Sequence, residues 1–268
     1  MEAPQKAVVT TAAKQEKLLS KKARELAKMY NFPFVPRRKQ PLADIINTWN
    51  LPVIIYGKIR LELYLEHNSP PFFFHPNTAA LKVRKLVEAG TSPLTETGKI
   101  KQGDVIVDCT LGLGADSLLM AAAAGPEGKV TGIESSKLTA LIVKEGLQHF
   151  PMPLQELQQA ASRINVLHGR AETILSAMEK NSADIVYLDP MFNTPLSKAS
   201  GIDPLRKLAD YNPVTEELIQ LAVKTASRGV VIKEHTKSPV FEKYGFTVKK
   251  RRGASFQYGF LTGKEGEG

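Results

Sequence analysis

Two glycines and several acidic residues stand where short apolar segments of the chain end, and these residue types can hold a nucleotide-like ligand. The β-branched segment 105–107 leads into Asp108 and then into a turn that contains Gly112 and Gly114. Glycine permits positive φ and a close approach of the backbone to a ligand, and the helix that begins next offers free N–H groups. The segment therefore predicts the strand, glycine turn and helix that cradle nucleotides in doubly wound α/β folds.

The carboxylates near this turn indicate the charge of the ligand. A dinucleotide dehydrogenase carries a third glycine three residues after the second, but Ser117 stands there, directly after Asp116. A carboxylate would repel the pyrophosphate of a dinucleotide, whereas it would attract a cation that carries no phosphate. S-adenosylmethionine has a sulfonium cation, an amino group, a ribose and an adenine, and we expect it as the cofactor.

Further residues are assigned to parts of this cofactor by their places after successive strands. We expect Asp108 to accept a hydrogen bond from the amino-acid end, directly or through water, and Glu134 to accept both ribose hydroxyls. The adenine edge would be read by Arg170, Ala171 and Glu172. Acidic residues at strand ends are often loop residues or caps, but three such sites in order along alternating elements indicate a common site. The cofactor-binding set expected from these places is Asp108, Thr110, Gly112, Gly114, Glu134, Ser135, Arg170, Ala171 and Glu172.

The segment Asp189-Pro190-Met191-Phe192 can activate an amino nitrogen. The lone pair of an exocyclic amino group on a base is delocalised into the ring, and it must be drawn out before the nitrogen can attack a methyl group. Asp189 can accept one N–H, the Pro190 carbonyl can accept the other, and Phe192 can stack on the base. Catalysis would then rest on positioning and electrostatics. The alternative is a plain turn with a core phenylalanine, but its place after the fourth strand of the series favours catalysis.

The elements that must position these residues alternate along the second part of the chain. Alternating strands and helices predict an α/β fold with a mainly parallel sheet and helices on both faces. Pro213 is suited to the first turn of a helix over 213–227. Seven strands are expected in this sheet: 105–109, 129–133, 164–167, 185–188 and 229–233, followed by a closing antiparallel hairpin of 246–250 and 255–261.

The first part of the chain predicts a small α+β region. A basic amphipathic helix is expected over 13–30 and a strand over 53–56. The alternation from Ile59 to Leu65 predicts a second strand, joined to the first by a hairpin turn at Gly57-Lys58. Asn77 is expected to cap a helix over 78–89. The expected domains are a tail (1–13), a basic substrate-binding region (14–90), a linker (91–104), a cofactor-binding domain (105–262) and a second tail (263–268).

Three consecutive aromatic residues, Phe72-Phe73-Phe74, precede this helix. They are interpreted as the end of a buried strand, and the alternative is that they help a base or the adenine of the cofactor to stack.

The basic residues are concentrated ahead of the glycine turn. Residues 1–104 contain 17 Lys and Arg against 9 Asp and Glu, whereas residues 105–268 contain 19 against 18. A basic module joined to a nearly neutral one indicates a polyanionic partner, and nucleic acid is the commonest. The alternative is a basic surface that only keeps the protein soluble.

Other classes of protein are disfavoured by composition. The single cysteine, Cys109, excludes an intrachain disulfide and a cysteine-rich metal site, so we expect no metal. The polar first 17 residues lack the apolar core of a signal peptide, and no segment has the roughly 20 apolar residues of a membrane span. We therefore expect a cytoplasmic protein with no membrane partner.

With these motifs in place, the chain resembles class I S-adenosylmethionine-dependent methyltransferases that modify an exocyclic amino nitrogen. Segments 186–192 and 108–116 resemble, more narrowly, the bacterial 16S ribosomal RNA guanine-N2 methyltransferase family. The chain departs from that family at Asn193, where members have proline, and at Ala115, where members have arginine. The resemblance implies a Rossmann-like fold, a cofactor role for Asp116, and substrate contacts from Lys198, Arg206, Lys207 and Lys233.

The expected function is therefore methyl transfer to an exocyclic amino nitrogen of RNA, with guanine N2 of small-subunit ribosomal RNA as the expected target. The expected catalytic residues are Asp189, Pro190 and Phe192. Two alternatives stay open. One is a methyltransferase of another substrate, such as adenine N6, transfer RNA, a protein or a small molecule. The other is a non-catalytic RNA-binding module that retains the fold.

Overall fold

A computed structural model of the protein describes residues 5–190, 208 and 213–263. The helices in these ranges are α1 (Glu16–Met29), α2 (Leu42–Trp49), α3 (Asn77–Ala89), α4 (Pro93–Thr97), α5 (Ala115–Ala123), α6 (Lys137–His149), α7 (Gln155–Ala161), α8 (Ala171–Ala177), α9 (Glu216–Thr225) and α10 (Val240–Lys243). The strands are β1 (Val8–Thr11), β2 (Val53–Tyr56), β3 (Leu61–Tyr64), β4 (Val105–Asp108), β5 (Lys129–Glu134), β6 (Ile164–His168), β7 (Ala183–Leu188), β8 (Ala226–His235), β9 (Thr247–Val248) and β10 (Phe256–Thr262). None of the helices in these ranges is long and apolar enough to cross a membrane.

The described chain divides into two compact units. The first contains the residues up to His75 and the segment Ser136–Pro151, which carries α6. The second contains Pro76–Ser135 and the described residues of 152–190 and 213–263.

The second unit is built on a seven-stranded sheet in the order β6-β5-β4-β7-β8-β10-β9. The first five strands in this order are parallel, and β10 runs antiparallel to both β8 and β9. Residues 106–108 of β4 and 185–188 of β7 are buried without a break, as expected for strands with both faces covered. The predicted mainly parallel sheet with a C-terminal antiparallel hairpin is confirmed.

The first unit has a three-stranded sheet, in which β1 is parallel to β2 and β2 is antiparallel to β3. Helix α1 buries Leu19, Ala23, Leu26 and Ala27, which recur on one face at helical spacing. A small apolar core forms around Val8, Ile45 and Val53. Helix α6 packs beside β3 in this unit.

Three predicted segments in the first hundred residues require correction. The expected tail 1–13 contains β1, whose residues Val8–Thr11 are all buried, because β1 pairs with β2 along its whole length. The expected linker 91–104 contains α4, which is stabilised by a capping box between Ser92 and Thr95. The expected region 14–90 also does not form one body, since α3 lies in the second unit.

Three local predictions also differ from the structure. Asn77 is the first residue of α3 rather than its cap, because the non-helical residue before the helix is Pro76. Helix α9 begins at Glu216 rather than near Pro213, since the Thr215 hydroxyl accepts the Leu218 N–H at 3.1 Å and caps the helix there. The β2–β3 turn spans residues 57–60, closed by a hydrogen bond of 3.1 Å from the Gly57 N–H to the Arg60 carbonyl.

Candidate active site

The structure brings the predicted acidic residues to one edge of the sheet in the second unit. Strands β5, β4 and β7 are adjacent and parallel, so their carboxyl ends meet at the same edge. Glu134 ends β5, Asp108 ends β4, and Asp189 directly follows β7. Ligands of open α/β sheets bind at this kind of edge.

The glycine turn between β4 and α5 is shaped by backbone conformations that favour glycine. Gly112 has φ +50° and Gly114 has φ +72°, and Gly114 is the residue that precedes α5. The turn is fastened to β5 by a 3.0 Å hydrogen bond from the Leu111 N–H to the Ile133 carbonyl. A Cβ at Gly112 would have its nearest neighbour, the Thr110 carbonyl oxygen, at 3.9 Å. This distance is an ordinary van der Waals contact, so glycine is favoured at this position by its positive φ rather than by crowding.

Asp108 organises this turn from within. Its Oδ1 accepts the Thr110 N–H at 2.9 Å and the Thr110 hydroxyl at 3.3 Å, and its Oδ2 accepts the Ser117 hydroxyl at 2.5 Å. Only 1% of the residue is exposed. Burial raises the pKa of Asp108 to about 6, while its hydrogen bonds from Ser117 and Thr110 act in the opposite direction. The structure thus places Asp108 as a support of the turn, and direct contact with a ligand stays a prediction.

Glu134 joins the end of β5 to the glycine turn. Its Oε2 accepts the Gly112 N–H at 3.1 Å, so the side chain lies beside the backbone of the turn. Ser135 follows it and is half-buried. A carboxylate has about four acceptor positions, so the hydrogen bond to Gly112 is compatible with acceptance of ribose hydroxyls.

Arg170, Ala171 and Glu172 lie after β6, at the start of α8. The Arg170 guanidinium contacts Glu172 Oε1 at 3.2 Å, and the side chains are 53% and 21% exposed. The structure thus places this group after β6, which lies next to β5 in the same sheet. The Glu172 side chain is less exposed than that of Arg170. The assignment of the three residues to the adenine edge stays a prediction.

Asp116, in the first turn of α5, is held by groups from three other elements. Lys82 Nζ of α3 lies 2.5 Å from its Oδ1, and its Oδ2 accepts the Tyr187 hydroxyl at 3.0 Å and lies 3.4 Å from Lys233 Nζ. Burial alone would raise the pKa of Asp116, but Lys233 and Lys82 outweigh burial and lower it. Asp116 is therefore an anion at neutral pH.

Sequence reasoning did not assign Lys82, Ser117 or Tyr187 to the site. Lys82 stands 34 residues before Asp116, and nothing in its local sequence distinguishes it from Arg84 and Lys85 on the same helix. Tyr187 could have been found from the sequence, because a tyrosine in a buried strand requires a hydrogen-bond partner for its hydroxyl.

Asp189 meets Lys233, a residue that sequence reasoning had assigned to substrate binding. Lys233 Nζ of β8 lies 2.5 Å from Asp189 Oδ2, and the Asp189 N–H donates to the Thr110 hydroxyl at 2.7 Å. Burial raises the pKa of Asp189 to about 6, with Lys233 acting against the rise and Asp116 adding to it. Pro190 follows and is half-buried. The carboxylate is thus held in one orientation at the tip of β7.

Four predicted site residues, Phe192, Lys198, Arg206 and Lys207, lie outside the described residues. The described residues accordingly include the expected cofactor-binding set, Asp189, Pro190 and Lys233.

The charges and the shape of this edge fit S-adenosylmethionine. The backbone at Gly112 is uncrowded, and the carboxylates of Asp108 and Glu134 accept hydrogen bonds from the turn, whereas the charge of Asp116 is compensated by Lys82 and Lys233. Such surroundings favour a cationic ligand and disfavour a pyrophosphate. The fold and the site together define a Rossmann-like methyltransferase.

Comparisons with known proteins agree with this class. The family model described as "Putative SAM-dependent methyltransferase" matches residues 51–253. The chain belongs to this family of S-adenosylmethionine (SAM)-dependent methyltransferases, and SAM is its cofactor.

Two relatives and one solved structure illustrate the similarity. YpiP of Bacillus subtilis (strain 168) is 37% identical over 254 residues, which are 95% of this chain and 98% of that protein. Ribosomal RNA small subunit methyltransferase J of Alteromonas mediterranea is 27% identical over 161 residues, which are 58% of this chain and 59% of that protein. The crystal structure of a SAM-dependent methyltransferase from Neisseria gonorrhoeae has 20% sequence identity, covers 97% of each chain and gives a TM-score of 0.61. That last likeness shows the fold.

Proposed function

We propose that the protein transfers a methyl group from SAM to guanine N2 of small-subunit ribosomal RNA. The observation that carries this proposal is the carboxylate of Asp189 at the tip of β7, oriented by Lys233 at 2.5 Å and followed by Pro190. An acceptor held in this way suits an amino nitrogen, which has two N–H bonds to direct.

In this mechanism the chain positions the nucleophile. When bound, SAM would supply an electrophilic methyl group, and transfer of this group would break the methyl–sulfur bond and leave a neutral thioether. Asp189 accepts one N–H of the amino group and the Pro190 carbonyl accepts the other, which draws the nitrogen lone pair out of the ring. Phe192 stacks on the base and keeps its plane. As the new N–C bond forms, the nitrogen gives up one proton, and Asp189 is a suitable acceptor because its pKa lies near 6.

Lys233 and Thr110 have positioning roles in this proposal. The Thr110 hydroxyl joins the end of β4 to the backbone of Asp189, and Lys233 restricts the carboxylate to one rotamer. Preorganised groups of this kind lower the barrier without reorganisation during the reaction. The residues expected to hold SAM are Asp108, Thr110, Gly112, Gly114, Asp116, Glu134, Ser135, Arg170, Ala171 and Glu172.

RNA as the substrate is supported by charge and by relatives. The first 104 residues carry 17 basic against 9 acidic residues, and such a surplus favours phosphate contacts that weaken as salt rises. Lys198, Arg206 and Lys207 are proposed to contribute to these contacts. The relative from Alteromonas mediterranea is a ribosomal RNA small subunit methyltransferase by name. A ribosomal RNA substrate would place the enzyme in the cytoplasm.

The test is methyl transfer from isotope-labelled SAM to small-subunit ribosomal RNA, followed by nuclease digestion and mass spectrometry of the nucleosides. We expect labelled N2-methylguanosine with the wild-type protein. Asp189→Ala should lower kcat by about 100-fold or more, the usual loss when one preorganised polar group is removed, while RNA binding is retained. Asp44→Asn, an exposed carboxylate on α2, is the matched control and should act like wild type.

Each other outcome would contradict a stated part of the proposal. If the labelled nucleoside were N6-methyladenosine, the target would be adenine N6 rather than guanine N2. If the label were found in protein, the substrate would be a protein rather than RNA. RNA binding without any transfer from SAM would favour the non-catalytic alternative. Full activity of Asp189→Ala would remove Asp189 from the mechanism.

A further inference from the structure

A cleft of about 440 Å³ lies within the first unit. Its walls are one face of α1, the turn 57–60 between β2 and β3, and one face of α6, and Phe74 also lines it. Pockets that hold small organic groups commonly have roughly 300–1,000 Å³. The cleft is therefore large enough for a nucleotide, and none of its lining residues belongs to the candidate active site.

Aromatic rings form part of the lining. Phe74 and Phe150 lie with their ring centroids 5.8 Å apart in an edge-to-face arrangement, and Tyr56 contributes a third ring. Gly146 of α6 makes this packing possible, because a Cβ there would lie 2.2 Å from the Phe74 ring. Phe74 is only 1% exposed and supports the cleft from below. Tyr56 and Phe150 are half-buried, and aromatic side chains of this kind are surfaces on which proteins stack unpaired bases.

Two carboxylates, Glu25 and Glu145, also line the cleft. The Glu145 side chain is only 12% exposed. Its Oε1 accepts the Tyr30 hydroxyl at 3.2 Å, whereas its Oε2 lies 3.7 Å from His149 Nε2, beyond ordinary hydrogen-bond distance. Burial, Glu145 and Glu25 together raise the pKa of Tyr56, which reflects a negative field in the cleft. The interior thus favours a ligand that presents N–H donors.

Cationic side chains also line the cleft. Lys22 of α1 and Lys58 of the turn are exposed lining residues, and Arg60 closes the turn. Arg60 is fixed by its ion pair with Glu62 at 2.7 Å and by its guanidinium, which lies 3.5 Å from the centre of the Phe73 ring. Cations beside a carboxylate-lined aromatic cleft match a ligand with an N–H edge, a flat ring and a phosphate.

We propose that this cleft binds a guanine of single-stranded RNA, with its N1–H and N2–H donated to Glu145, its ring against Tyr56 and Phe150, and its phosphates near Lys22 and Lys58. Guanine is favoured because it presents two N–H donors side by side, which a carboxylate can accept together. This inference rests on the proposed function, since it assigns a second guanine of the RNA substrate. The guanine that is methylated must direct its N2–H bonds to Asp189 and cannot donate the same bonds to Glu145.

The experiment measures fluorescence anisotropy of the full-length protein with labelled hexaribonucleotides of uridine that carry one central guanosine or inosine. Inosine lacks the N2 amino group and is otherwise identical to guanosine. The wild-type protein should bind the guanosine oligonucleotide about tenfold more tightly. Glu145→Gln should abolish this preference, because the amide places an N–H₂ group where an acceptor is required. Glu88→Gln, an exposed carboxylate on α3, is the matched control and should keep the preference.

Two further variants separate this inference from the proposed function. Asp189→Ala should keep the preference for guanosine over inosine, even though methyl transfer is lost. Glu145→Asp retains the charge but retracts it by one methylene, and it should also lose the preference, which provides a second measurement if Glu145→Gln unfolds. Lys58→Ala should weaken all oligonucleotides equally and reduce the salt slope by about 1.

Equal binding of guanosine and inosine by the wild-type protein would overturn the inference, whether or not ribosomal RNA is methylated. A preference that survives Glu145→Gln and disappears in Asp189→Ala would also overturn it, since guanine would then be read in the candidate active site. Absence of methyl transfer by the wild-type protein would instead refute the proposed function.

Discussion

Lys233→Met removes a positive charge that two carboxylates share. Lys233 Nζ lies 2.5 Å from Asp189 Oδ2 and 3.4 Å from Asp116 Oδ2. Asp116 keeps a second cation, Lys82 at 2.5 Å, whereas Asp189 loses the cation that orients it. Methionine has a similar length and an apolar stem, so the substitution changes charge more than packing.

The expected loss of folding stability follows from the burial of these groups. Removal of one partner from a buried ion pair costs about 3–5 kcal/mol. Asp189 has a 24% exposed side chain and Lys82 still compensates Asp116, so a loss of about 2–3 kcal/mol is expected. For a chain of this size the melting temperature should fall by about 5–10 °C.

The loss should depend on pH in a defined direction. Lys233 holds down the pKa of Asp189, which is about 6 with the lysine present, and its removal should raise that pKa further. A carboxyl group whose pKa is higher in the folded protein than in the unfolded chain stabilises the fold fully at pH values below its unfolded pKa. The protein loses this stabilisation as the pH rises through the folded pKa. The defect of Lys233→Met should therefore be largest at alkaline pH and shrink toward pH 5. The acid limb of methyl transfer, near pH 6 for the wild type, should move upward by the same amount.

Urea unfolding and calorimetry at several pH values measure the stability, and initial rates of methyl transfer measure the acid limb. Lys129→Met, at an exposed position of β5, is the neutral control. Lys82→Met should cost less than Lys233→Met, because the Lys82 side chain is more exposed and, among the described residues, it forms an ion pair with one carboxylate, Asp116, whereas Lys233 forms two. Adding Asp189→Asn to Lys233→Met should recover part of the loss, since no unpaired charge is left. The reasoning would be refuted if Lys233→Met matched Lys129→Met, or if its defect were the same at every pH.

Two further predictions concern single contacts. Ser117→Ala removes the hydroxyl that donates to Asp108 Oδ2 at 2.5 Å, and urea unfolding at pH 8 should show a loss of stability of about 1–3 kcal/mol. The loss should be smaller at pH 5, because Asp108 has a pKa of about 6 and is protonated there. An equal loss at both pH values would contradict this reasoning. Gly146→Ala forces a methyl group against Phe74 and should lower the free energy of unfolding in urea by about 1–3 kcal/mol. The exposed control Gln148→Ala on the same helix should change it little. Equal stabilities of the two variants would show that Phe74 can move aside.

The strand, glycine turn and helix around Gly112 could be predicted because the signals are local. A β-branched run, two glycines and an alanine-rich helix follow one another within about twenty residues, and each acts through its own backbone preference. The parallel direction of the strands in the sheet of the second unit followed from the same alternation, since parallel strands require crossovers of this length, whereas the order of the strands was given only by the structure. The first residues of the helices near Pro76 and Pro213 were harder to predict from the sequence, because both the prolines and the neighbouring polar residues can begin a helix.

Strand β1 could not be recognised from its own residues. Val8–Thr11 is only four residues long, and its partner Val53–Tyr56 lies about 45 residues further along the chain. A strand this short is stabilised by its pairing and burial rather than by propensity, so its sequence alone resembles a loose terminus.

The kinds of residue at the candidate active site follow from the amino-acid sequence, because acids and glycines at strand ends can be read in chain order. Which of them meet was decided by the tertiary structure. Lys82 reaches Asp116 across 34 positions, and Lys233 reaches Asp189 across 44. Such pairs form because neighbouring parallel strands and packed helices bring distant side chains to one edge of a sheet. Charge interactions depend on that distance in space, which residue order does not contain.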